Sequence, residues 1–113
     1  MKRLISYRKI LNRMILIYIT NPSEQVAKKV AKKLIDKKLI ACANIFPVQS
    51  IYPWKGKLQE EKEVIILAKT KKNYLESVEE EVKKIHSYEV PCILTITADA
   101  NEEYSRWMGD VLD

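Results

Sequence analysis

One histidine and two cysteines are all the imidazole and thiol chemistry in these 113 residues: His86, Cys42 and Cys92. The cysteines stand 50 positions apart with no Cys-x-x-Cys, so neither a disulfide scaffold nor a zinc knuckle is encoded. A Cys–His pair is the sole route to an activated nucleophile, and no third group that would orient the imidazole can be identified. Phosphate-cradling loops need several glycines, and only Gly56 and Gly109 exist. These residue types point away from an enzyme. His86 is the one candidate metal ligand of imidazole type, and the competing role for it is a contact with the dipole of a helix C-terminus.

Two other segments concentrate amphipathic side chains, Tyr52-Pro53-Trp54-Lys55-Gly56-Lys57 and His86-Ser87-Tyr88-Glu89-Val90-Pro91. Tyr52, Trp54, Tyr88 and Trp107 each join a large apolar ring to a polar edge, which suits a subunit interface or a ligand pocket. Lys57, Lys69 and Glu89 read either as a polar network at a subunit boundary or as anchors for an anionic ligand. Cys42, within Ile40-Ala41-Cys42-Ala43-Asn44, reads first as a small core residue and is carried with the same cleft.

The elements that must position these groups follow from hydrophobic periodicity. Residues 14–20, Met-Ile-Leu-Ile-Tyr-Ile-Thr, form a continuous apolar and β-branched run, as a central strand covered on both faces requires. Asn21-Pro22-Ser23-Glu24 then predicts a helix capped by Asn21 with Pro22 at its first position. Its apolar stripe is Val26, Ala27, Val30, Ala31, Leu34 and Ile35, with a solvated lysine face opposite. Residues 40–70 read as one long hairpin turning at Lys55-Gly56-Lys57. Pro47 and Pro53 remove ladder donors, which predicts a bulged edge strand for its first arm. Asn73-Tyr74-Leu75-Glu76 predicts a second capping box, with Leu75, Val78, Val82 and Ile85 as the buried stripe. Residues 92–97 give a fourth strand, and Tyr104, Trp107, Met108, Val111 and Leu112 give a C-terminal amphipathic helix. The order β-α-β-β-α-β plus a helix predicts an α+β, ferredoxin-like fold with an antiparallel sheet, strands one and three central. Cys42 and Cys92 then lie on opposite edges and should not bridge.

Composition closes off other classes. With 47% apolar and 31% charged residues, the chain suits one compact domain and excludes disorder. Of 20 basic and 15 acidic residues, five basic ones fall within residues 1–13 (Lys2, Arg3, Arg8, Lys9 and Arg13), so the remainder is neutral. Residues 1–13 thus read as a basic extension before a domain at 14–113. Neither a nucleic-acid nor a membrane partner is expected. The longest apolar run, residues 14–19, is far short of the roughly 20 needed to cross a bilayer. The cytoplasm is the expected compartment.

In order and spacing, the strand ending at Thr20 before Pro22, the ACAN segment, Ser50-Ile51-Tyr52-x-Trp54-x-Gly56-Lys57, Glu63 leading into Lys69-Thr70, His86-x-Tyr88-Glu89-Val90-Pro91 and Tyr104-x-x-Trp107 resemble the CutA family of divalent-cation tolerance proteins. The resemblance runs from Met14 to Trp107. It implies a non-catalytic homotrimer whose sheets join edge to edge, kinship with trimeric PII-type signalling proteins, and copper or another divalent cation as a ligand, with no cofactor required. The alternative it leaves open is a PII-like regulatory or scaffold trimer that binds a small molecule or partner protein between subunits. Copper binding in the family is associated with a Cys at the end of strand one and with His before the Tyr. Here those positions are Ile19, Ile85 and His86, so one imidazole remains, and Ser87 stands where the family usually has Pro.

Overall fold

A computed structural model describes residues 13–113. The elements run β1 Arg13–Asn21, α1 Glu24–Asp36, β2 Cys42–Trp54, β3 Lys57–Thr70, a 3-10 turn Lys72–Tyr74, α2 Leu75–Ile85, β4 Ile93–Asp99 and α3 Glu102–Leu112. All pairings are antiparallel in the order β2-β3-β1-β4, the ferredoxin-like arrangement, with β1 and β3 central. Both cysteines are free: Cys42 opens the edge strand β2, and Cys92 immediately precedes the other edge strand, β4. Residues 1–12 lie outside the described residues. Arg13, read with the extension, is the first residue of β1, its Nε 3.6 Å from Asp99.

One face of the sheet is sealed by α1 and α2. Ile15, Ile17 and Ile19 of β1 and Ile66 and Ala68 of β3 pack there against Val30, Leu34, Val78 and Val82. The period-2 alternation along each strand sends the intervening residues to the opposite face. Only one end of that face is covered, where Met108 and Leu112 of α3 close over Met14 and Ala41. This asymmetry sets where a site can be.

Three local expectations are corrected. The cap of α1 is Ser23, extended at φ −156° and ψ 163°, whose hydroxyl accepts from Val26 N at 3.1 Å. Asn21 instead ends β1, its side-chain amide donating to the carbonyls of Ile19 and Val64. Ser23 wins because its hydroxyl stands three residues before a free helical amide, as an N-cap requires. At α2 no side chain caps the helix. The 3-10 turn ahead of it occupies early amides by Tyr74 N–H to Lys71 O at 3.1 Å, while the Tyr74 hydroxyl is drawn away to Leu112 O and Asp113. The third correction concerns β2, which carries no bulge: its register with β3 is uninterrupted from Cys42 opposite Lys69 to Trp54 opposite Lys57.

Both prolines fit an unbroken ladder because they lie six residues apart and so share one parity. Trp54 and Lys57 flank a two-residue loop, Lys55 and Gly56, with φ of 52° and 79°, the mirror-image turn whose twist matches a hairpin. The flanking pair of such a turn is hydrogen-bonded, so even-numbered residues of β2 bond to β3. The odd-numbered ones, Pro47 and Pro53 among them, face outward, where no ladder amide is lost.

β1 pairs with β3 only over Val64–Thr70. Residues 57–63 therefore pair with β2 alone, and the hairpin continues as a two-stranded ribbon, stretching the molecule to 55 Å against 30 and 21 Å in the other directions.

Candidate functional site

Where the ribbon leaves the sheet, its root and the segment after α2 enclose a cleft of about 700 Å³ on the part of the open face that α3 does not cover. Three strands contribute by alternation: Tyr18 and Thr20 from β1, Ser50, Tyr52 and Trp54 from β2, and Gln59, Glu61 and Glu63 from β3. The other wall is Ser87, Tyr88, Glu89, Val90 and Cys92.

Two carboxylate–tyrosine pairs organise this cleft. Glu63 is only 7% exposed, and its carboxylate accepts a short hydrogen bond from the Tyr88 hydroxyl. Glu61, on the same face of β3, accepts from the Tyr52 hydroxyl at 2.9 Å. Burial first, and then the bond to Glu63, push the Tyr88 hydroxyl well above its ordinary value of 10.0. For Tyr52 the bond to Glu61 is the leading cause of an upward shift. At neutral pH both phenols are donors.

His86 anchors the segment that carries Tyr88. It caps α2, its amide donating to Val82 O at 2.8 Å, and its ring Nε2–H donates to the Thr20 carbonyl at 2.5 Å, tying the helix end to β1. The ring is 8% exposed and meets Tyr88 edge-on at 4.4 Å, and Nδ1 has no partner among the described residues. One nitrogen is thus committed to structure. Among the described residues no three His, Cys, Asp or Glu side chains converge as a metal site would need.

The residues singled out from the sequence fall into two regions. Tyr52, Trp54, Tyr88 and Glu89 line the cleft. Glu89 also meets Lys55 of the hairpin tip at 3.7 Å, and the Lys55 ammonium lies 5.7 Å from the Trp54 ring centre. Lys57 opens β3 opposite Trp54, exposed and outside the lining. Cys42, Lys69 and Trp107 gather at the other end, under α3. Lys69 pairs with Cys42 and sets its ammonium 5.3 Å over the Tyr104 ring, while Trp107, 46% exposed, lies 5.4 Å from that ring. Burial and then a bond with Cys42 raise the Tyr104 hydroxyl. Lys69 stands six residues along β3 from Glu63, about 20 Å by strand rise. Sequence reasoning left out Tyr18, Thr20, Ser50, Glu61, Glu63 and Cys92, among others, as cleft residues. The signal that reaches three of them is parity: once Tyr52 faces the cleft, the register places Ser50, Glu61 and Glu63 beside it.

The family model described as CutA1 divalent ion tolerance protein matches residues 15–111, nearly all of the domain. The chain belongs to the CutA1 family. Its relatives include the divalent-cation tolerance protein CutA of Pyrococcus horikoshii, 42% identical over 84% of this chain and 94% of that one. The CutA homolog of Xenopus laevis is 39% identical over 84% of this chain, which spans 64% of the Xenopus protein's length. Among solved structures, the periplasmic divalent cation tolerance protein CutA of Archaeoglobus fulgidus superposes with a TM-score of 0.86 at 38% identity, over 89% of this chain and 99% of that one. CutA1 of Oryza sativa gives 0.86 at 33% identity, over 89% and 94%. These CutA1 structures share the sheet and helix arrangement that frames the cleft.

Proposed function

We propose that this CutA1-family chain works as a non-catalytic cytoplasmic homotrimer in divalent-cation tolerance, binding copper or a similar cation weakly at a cleft completed between subunits. The projecting ribbon carries the reading. It leaves Ile51 and Leu58 at 66% and 70% exposure, and β4 exposes Leu94 and Ile96 at the opposite edge. A long apolar edge of this kind needs a partner strand, and a rotational three-fold closes where an open stack would not. Each subunit should bury more than about 1,000 Å² in the process. The family names support the tolerance role, and the free cysteines suit a reducing compartment. His86 offers only Nδ1, and one imidazole makes a weak site until a neighbour supplies more donors.

Light scattering at low micromolar concentration tests assembly, a 13.2 kDa particle being the result that sinks it. A copper(II) titration tests the ligand. Saturable heat that disappears in His86→Ala is expected, and no saturable heat overturns the metal half.

A second reading, a PII-like regulatory trimer with a small-molecule ligand, is favoured by one observation. The cleft has the volume of a small-molecule site, and its most buried polar group is a carboxylate.

A further inference from the structure

Glu63 is only 7% exposed as a residue, and no ammonium or guanidinium answers its carboxylate among the described residues. Its described hydrogen bond comes from Tyr88 alone, and the ion pairs of the described residues reach neither Glu63 nor Glu61. No lysine or arginine lines the cleft. One phenol satisfies only one of about four acceptor sites, so the Glu63 carboxylate keeps acceptor capacity for a donor that enters the cleft. Glu61 stands two residues away on the same strand face, about 6.7 Å by strand rise, its own carboxylate held by Tyr52. The rings of Tyr18 and Trp54 line the same cleft, on either side of the Glu61–Glu63 stretch by register, and their π faces attract organic cations more than they serve a metal ion.

We infer that the cleft binds an aliphatic ammonium, and best a diammonium whose charges match the Glu61–Glu63 spacing, with its carbon chain against Trp54 and Tyr88. This deepens, and rests on, the reading of the cleft as a small-molecule site. A bare divalent ion fits less well: each carboxylate already accepts a tyrosine hydroxyl, and no third metal-ligating side chain converges there among the described residues. An anionic ligand would meet three carboxylates, Glu61, Glu63 and Glu89, and no cation along the lining.

The test is calorimetric titration of the full chain with 1,4-diaminobutane, with light scattering on the same samples. Saturable binding is expected, at least tenfold weaker in Glu63→Gln, which keeps an acceptor for Tyr88 and the side chain's shape. Glu61→Gln, at the exposed end, should weaken it less, and butylammonium with one charge should bind more weakly than the diamine. Magnesium at equal charge should not displace it. No saturable diamine binding, unchanged affinity in Glu63→Gln, or displacement by magnesium would each overturn the inference. A monomer that binds the diamine overturns only the inter-subunit reading. A trimer that does not bind it overturns only the inference.

Discussion

The two faces of the β1–β3 sheet obey the same alternation and end in opposite conditions. On the face under α1 and α2, Ile17, Ile19, Val30, Leu34, Ile66, Val78 and Val82 are fully buried within the chain itself. On the other, α3 covers one end, and the rest presents Leu94, Ile96, Phe46 and Trp54 to solvent beside a buried acid. The difference teaches that folding and function divide by face. The helix-covered face is closed by the chain's own helices, whereas most of the open face leaves apolar side chains and the Glu61–Glu63 pair uncovered by them.

Leu34→Ala should break the comparison on its helix-covered side with the largest effect. It removes a fully buried side chain from the cluster between sheet and helices and should cost about 2–5 kcal/mol in denaturant unfolding. Tyr88→Phe comes next. It strips the one described donor from Glu63, an expected loss of about 1–3 kcal/mol, and it should alter the alkaline limb as well. Because folding raises the Tyr88 hydroxyl, its contribution is complete below about pH 10 and is lost as pH rises toward the higher folded value. Unfolding followed between pH 9 and 11 should show a decline in the parent protein that is shallower in Tyr88→Phe.

Trp54→Ala should shift the stability of an isolated subunit by less than about 1 kcal/mol, since the ring is half in solvent. Its effect should appear as a smaller particle in light scattering, and an unchanged trimer would remove Trp54 from the interface. The smallest effect belongs to Glu81, which ties the two helices through Lys37 at 2.6 Å and also meets Lys84. Its bond to Lys37, chiefly, holds its carboxyl below the ordinary 4.5, so the stability it adds is present above that pH and fades as pH falls through the folded value. Glu81→Gln should flatten the acid limb of the unfolding curve and leave the open face untouched.

The helix-covered face was the legible one. Continuous apolar runs marked β1 and β3 as central, and the prolines of β2 marked an edge, because a buried ladder has no room for a missing donor. Helix ends were legible only to within a few residues, since Asn21 and Ser23 both carry capping side chains and only the path of the chain decides between them. The open face was legible in part. Large rings mark Tyr52, Trp54 and Tyr88, while Glu63 enters only through the family resemblance and Glu61 not at all, because side-chain type does not reveal which carboxylate the register buries. Cys42, Lys69 and Trp107 are not among the residues lining the cleft; Lys69 lies about 20 Å from Glu63 by strand rise but only two residues along the sheet from Tyr18.

The outward prolines of β2 carry a consequence for the fate of the protein in a crowded solution. Along the free edge, amides can reach a newcomer only from Ala43 and Ile45 on one side of Pro47, and from Gln49 and Ile51 between the two prolines. A foreign strand that tried to zip along all thirteen residues would meet a blank at each proline and lose its ladder there. The edge is therefore too interrupted to seed an unlimited fibre, because its outward amides come in two short stretches.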